Sequence, residues 1–94
     1  MISRQEFLLR ARLDDVTLTA WIEEEWIIPR NAAEPEFAEV DVARAELIRD
    51  LKYDLDVNDA GIGVILNLVD QVHGLRRTLG ELLEDRRKRG GESE

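Results

Sequence analysis

The sequence predicts a mainly α-helical protein: a winged helix-turn-helix with a small two-stranded wing and a long carboxy-terminal dimerisation helix. Three observations carry that expectation. Apolar residues recur at helical spacing in four separate stretches, each preceded by a residue able to cap a helix. A short segment between the second and third of these, "WIIPRNAAEPEFAEV", reads instead as two strands around a polar loop. The last helical stretch is longer than a core built from 94 residues can cover, since small chains bury only a modest fraction of their surface. The expected organisation is a winged helix-turn-helix over 1–57, a long helix over 58–89 that closes the core and carries a dimer seam, and a disordered tail over 90–94.

The elements follow in order. Ser3 and Glu6 have the spacing of a capping box, and Phe7, Leu8 and Ala11 give one apolar side, so the first helix is expected from Ser3 to Arg12. Asp14 or Asp15 can cap a second helix ending near Glu25, with Leu18, Trp21 and Ile22 turned inward and Glu23 and Glu24 outward. Trp21 and Trp26 stand where the pattern needs apolar fillers and are read as core. "WIIP" closes on a proline that cannot donate to a ladder, and "EFAEV" alternates outward carboxylates with inward Phe37 and Val40, which predicts a hairpin between them. Asp41 suits the N-cap of a third helix, "VARAELIRDLKYDL", whose Val42, Ala45, Ile48 and Leu51 form a stripe widened by Leu47 and Leu55. Asn58 caps the longest helix, about Asp59 to Lys88. Ile62, Leu66 and Val69 line its beginning, while Ile65, Leu68, Val72, Leu75, Leu79 and Leu82 alternate three and four apart as a seam suited to a second copy of the chain. The other reading of that seam folds it back over its own domain.

Charge narrows the function. The chain carries 21 acidic and 13 basic side chains for a net charge of -8, a sign that repels nucleic acid and anionic membranes. The imbalance is local: Asp14 to Asp41 holds nine carboxylates and one arginine, and the rest of the chain balances. A helix-turn-helix and wing make a shape suited to DNA, yet this one is acidic where DNA-reading proteins place Arg and Lys. The expected partner-binding residues are therefore Asp14, Asp15, Glu23, Glu24, Glu34, Glu36, Glu39 and Asp41, with a solvated face that serves only solubility as the plainer reading. There is no cysteine, which excludes disulfides and thiolate metal sites. His73, the single histidine, has no second ligand nearby in sequence, and the adjacent Glu23, Glu24 and Glu25 splay around a helix, so no catalytic, cofactor-binding or metal residues are expected. No phosphate loop or nucleophile motif occurs. "RRKR" at Arg86 to Arg89 reads as cations complementing a helix carboxy terminus, followed by Gly90 as cap. The amino terminus lacks the apolar run of a signal peptide and no segment is apolar enough to span a bilayer, so a soluble, cytoplasmic protein is expected.

The order of elements resembles the MerR-type winged-helix domain. Within that group, "LIRDLKYDLDVNDAGIGVILNLVDQVHGL" is similar to the CbpM family of chaperone modulators. "DLDVNDAGI" resembles that family's helix-turn-helix junction, and "WIEEEWIIP" the segment that leads into its first strand. The resemblance covers about Ile2 to Leu83 and departs from the family at Glu25, where glycine is common. It implies a cytoplasmic regulator and not an enzyme, one that binds the J-domain of a CbpA-type DnaJ homologue and restrains its co-chaperone activity. J-domains of this kind carry a basic helix, the electrostatic reverse of the acidic stretch here. The alternative within the same fold is a MerR-like DNA-binding transcriptional regulator.

Overall fold

The structure, a computed structural model, describes residues 1–31 and 33–92. Four α-helices carry most of the chain: α1 (Arg4–Ala11), α2 (Asp15–Glu23), α3 (Glu39–Arg49) and α4 (Asp59–Glu92). A π-helical turn, Asp50–Asp54, continues α3, and two short strands, β1 (Ile2–Ser3) and β2 (Glu36–Phe37), form the sheet. The chain divides into two compact units, Met1–Ile62 and Gly63–Glu94.

Helix starts obey the capping chemistry written in the sequence. Ser3 accepts from the Glu6 N–H at 3.2 Å and Asp14 from the Thr17 N–H at 2.7 Å. Asn58 accepts from the Gly61 N–H at 2.7 Å. Each side-chain oxygen replaces the water that a free first-turn N–H would otherwise need. α3 differs from expectation, because it begins at Glu39 and puts Asp41 at its third position. Ala38 is the cap residue and has no oxygen to offer, so Asp41 reaches back and accepts from the Ala38 N–H at 2.8 Å. This is the glutamate half of a capping box performed by an aspartate.

Helix ends share one device. After α1 the Leu13 N–H reaches the Leu8 carbonyl and the Arg12 N–H the Leu9 carbonyl; after α2 Trp26 bonds Trp21 and Glu25 bonds Ile22 in the same pattern. Both are Schellman motifs, which need a left-handed residue just past the helix. Arg12 (φ 55°) and Glu25 (φ 62°) take that conformation, as does Asp56 (φ 53°) after the π-helical turn. The hydrophobic contact that accompanies such a motif is present at α2 as the Trp21 and Trp26 rings, with centroids 6.2 Å apart.

That second motif explains why the expected hairpin does not form as drawn. The N–H groups of Trp26 and Ile27 both turn back to the Trp21 carbonyl, and Pro29 has none, so the "WIIP" segment has little left to offer a ladder. β2 pairs instead with β1, antiparallel, with Ile2 opposite Phe37 and Ser3 opposite Glu36. A single bond from the Arg30 N–H to the Glu36 carbonyl is what remains of the expected pairing. Val40, expected to point inward on a strand, lies in the first turn of α3 and is 55 % exposed. Once the backbone is helical, the period of two that placed it no longer applies.

The core of the first unit gathers from every element. Ile2, Phe7, Ala11, Leu18, Trp21, Trp26, Ile27 and Phe37 are buried, as are Val42, Ala45, Ile48 and Leu51 of the α3 stripe and Ile62. Phe7 and Phe37 stack with centroids 4.2 Å apart, which joins α1 to the sheet. Each fully buried large side chain contributes about 1.5–3 kcal/mol, far above anything a surface ion pair supplies. Leu55, expected to widen the α3 stripe, is exposed, because the wider π-helical turn rotates it off the α-helical face. α4 continues through Gly90 to Glu92 with no left-handed glycine among the described residues, so the expected cap at Gly90 is absent. Residues 93–94 of the expected tail, like Ala32 of the expected loop, lie outside the described residues.

Candidate partner-binding surface

α2 occupies the stretch that the sequence predicts as the second helix of a helix-turn-helix, and its outward face is defined by its buried one. Leu18 and Trp21 point into the core, so Asp15, Val16, Thr19, Ala20, Glu23 and Glu24 take the remaining arc and are all exposed. No Lys or Arg occurs in the helix. Val16 and Ala20 are its exposed apolar residues, Thr19 between them is polar, and its carboxylates stand at the two ends.

The eight expected partner-binding residues sort into two groups. Asp14 is occupied as the N-cap, and hydrogen bonds from the side chain and backbone of Thr17 hold its carboxyl below the usual range. Asp15 receives the Arg4 Nε at 2.8 Å, and the same guanidinium donates to the Thr19 hydroxyl at 2.9 Å, which ties α1 to α2. Glu39 receives both terminal nitrogens of Arg10, at 2.6 and 2.5 Å. This fork lowers the Glu39 pKa and raises that of Arg10, chiefly through the hydrogen bonds themselves. Asp41 is 8 % exposed and committed to Ala38. Four of the eight thus build the fold.

Glu23, Glu24, Glu34 and Glu36 form the other group. Glu23, Glu24 and Glu34 are exposed, and Glu36 is half-buried on β2 with Ser3 opposite. Glu24 also lies near enough to Lys52 to favour that ammonium's charged form, though the Asp59 carboxylate, 2.8 Å from Lys52, is the larger cause of its raised pKa. None of the four carries a side-chain hydrogen bond or an ion pair among the described residues.

Sequence reading did not single out Arg4, Arg10, Arg44 or Lys52. Arg4 and Arg10 cancel two of the carboxylates, the Arg44 Nε donates to the Trp26 carbonyl, and Lys52 sits 6.0 Å from the Trp26 ring centroid. All join positions far apart in the chain, so no local spacing announces them. The one available signal was that Arg4 and Arg10 stand three residues either side of Phe7, at the edges of the buried side of α1.

The residues of the expected seam lie in the second unit. Ile65 is half-buried, and Leu68, Val72, Leu75, Leu79 and Leu82 are exposed, Leu75 at 69 %. Ile65, Leu68, Val69, Val72 and His73 border a shallow apolar groove on that side of the helix. Among the described residues no three His, Asp or Glu side chains gather as metal ligands, and no helix is long and apolar enough to cross a membrane.

Comparison with known proteins places these features. The family model described as MerR HTH family regulatory protein matches residues 2–84, nearly the whole chain. No curated protein matches, and no solved structure does.

Proposed function

The chain belongs to the MerR helix-turn-helix family of regulatory proteins, and from that premise we propose that it is an adaptor whose acidic helix-turn-helix binds the J-domain of a CbpA-type DnaJ homologue and inhibits its co-chaperone activity. The family points to a regulator and not to an enzyme. One observation carries the step to a protein partner: the outward face of α2, the surface a helix-turn-helix lays in a DNA groove, has carboxylates and no Lys or Arg of its own, and the cation laid against it, Arg4, is taken up by Asp15 and Thr19. Phosphate contacts by Lys and Arg supply most of the affinity for DNA. A face without them is repelled, whereas a basic protein helix is drawn to it. The resemblance of "DLDVNDAGI" and "WIEEEWIIP" to chaperone modulators supplies the identity of that helix.

The second reading, a DNA-binding transcriptional regulator, is favoured by the family itself. Titration against the J-domain and against a promoter duplex, both at physiological salt, separates the two. J-domain binding with none to the duplex supports the adaptor; duplex binding with none to the J-domain overturns it. The adaptor works as a homodimer through Ile65, Leu68, Val72, Leu75, Leu79 and Leu82, because apolar side chains at a/d spacing, five exposed and one half-buried, have the pattern that a second helix covers. It needs no cofactor or metal and acts in the cytoplasm, where J-domain co-chaperones of this class work.

A further inference from the structure

We infer that the outward face of α2 is itself the docking site, and that its occupant is an amphipathic cationic helix that seats a small apolar strip on Val16 and Ala20 while its Lys or Arg side chains meet Glu23 and Glu24. This rests on the reading above for the class of partner and adds the residues and geometry of recognition. Positions 16, 20 and 23 fall at i, i+4 and i+7 and so line one side of the helix. Val16 is 79 % exposed, an outlay of apolar surface that no contact within the chain recovers. Ala20 next to it is exposed and small, which lets a second backbone approach closely. Glu23 and Glu24 then stand at one end of this strip. Asp15 at the other end is already held by Arg4, so attraction is concentrated toward the carboxy-terminal half of α2. Asp14 and the Arg4 bridge to Asp15 and Thr19 fix the helix in advance, so docking orders little new structure. A nine-residue helix is only about 13 Å long and covers less than a standard interface, so binding is expected to be micromolar and salt-dependent.

The occupant is distinguished from a merely attracted cation by its apolar strip. The test measures binding of two probes by calorimetry: the J-domain, and a synthetic helical peptide with lysines flanking an alanine and leucine strip. A 20-base-pair duplex, about two turns of DNA, is titrated alongside. The expected results are an affinity loss of about tenfold for Ala20→Arg and for the double reversal Glu23→Lys, Glu24→Lys. Val16→Ser, which changes no charge, should lower affinity about threefold, and Gln5→Arg, which adds the same charge on α1, should have little effect. Circular dichroism shows whether each variant stays folded. If Val16→Ser and Ala20→Arg bind both probes like the parent, α2 is not the docking site and the inference falls, even when the J-domain binds and the adaptor reading stands. Duplex binding lost in Ala20→Arg would likewise overturn it, since the same face would then read DNA. If the peptide follows the expected pattern and the J-domain does not bind, the docking site is supported and only the partner's identity fails.

Discussion

Arg12, Glu25 and Asp56 each hold a backbone conformation that an L side chain adopts at a penalty, and each does so to finish a helix. Glycine takes it without the Cβ clash, an advantage of about 1 kcal/mol that its looser unfolded chain partly offsets. Glu25→Gly is therefore expected to raise stability by about 0.5–1 kcal/mol, read as a higher urea midpoint with an unchanged slope. An unchanged or lower midpoint would mean that the Glu25 side chain makes up for its backbone. The opposite sign belongs to Asp14, whose replacement by Ala leaves the Thr17 N–H without its acceptor and should lower stability by about 1 kcal/mol. Glu25 is also where the sequence departs from the glycine of the chaperone-modulator family it resembles, so the residue that looked anomalous in sequence is one of the three whose backbone the fold strains.

At the scale of elements, the sequence was most legible where a local rule decides the outcome. Ser3, Asp14 and Asn58 cap as their spacing requires, and the stripe from Val42 to Leu51 is buried throughout. It was least legible where distant groups compete for the same backbone. The N–H groups of Trp26 and Ile27 could have joined a strand or closed α2, and only the folded chain shows that the Trp21 carbonyl took both. β1 was hidden for a related reason: two residues at the start of the chain that pair with Phe37 and Glu36 leave no periodic signal. The acidic surface was half legible. Residue type and clustering gave Glu23, Glu24, Glu34 and Glu36, but the arginines that cancel Asp15 and Glu39 come from another helix.

The Arg10 clamp on Glu39 joins α1 to α3 and gives the fold an acid-sensitive link. Glu39 and Asp14 both have folded pKa values below their unfolded ones. Their contribution is therefore complete above the ordinary carboxylate range of about 4 and is lost as pH falls below it toward the lowered folded values. Acid unfolding of Glu39→Gln should show a shallower loss over that window than the parent. Equal slopes would indicate that the clamp, which is exposed, contributes nothing measurable.

On the scale of the whole molecule, net charge is segregated. Residues 1–62 hold 15 acidic and seven basic side chains, whereas 63–94 hold six of each. If Glu23 and Glu24 steer encounter, the association rate with the J-domain should fall as salt shortens the Debye length from about 10 Å to about 3 Å, with dissociation changing much less. A salt-insensitive rate would reduce the carboxylates to solubility. The exposed seam makes a separate prediction: Leu75→Asp places a charge amid apolar side chains and should give a monomer by ultracentrifugation while the near-ultraviolet signal of Trp21 and Trp26 persists. A sedimentation coefficient equal to the parent's would exclude the seam as the interface. The left-handed residues bear on how this chain can change over generations. With three turns that one exchange each could relax, the fold keeps headroom of up to a few kcal/mol at about 1 kcal/mol per site. An Ile48→Val lineage, which loses about 0.5–1.5 kcal/mol from the core, could recover it at Glu25 without altering a single side chain on the outward face of α2.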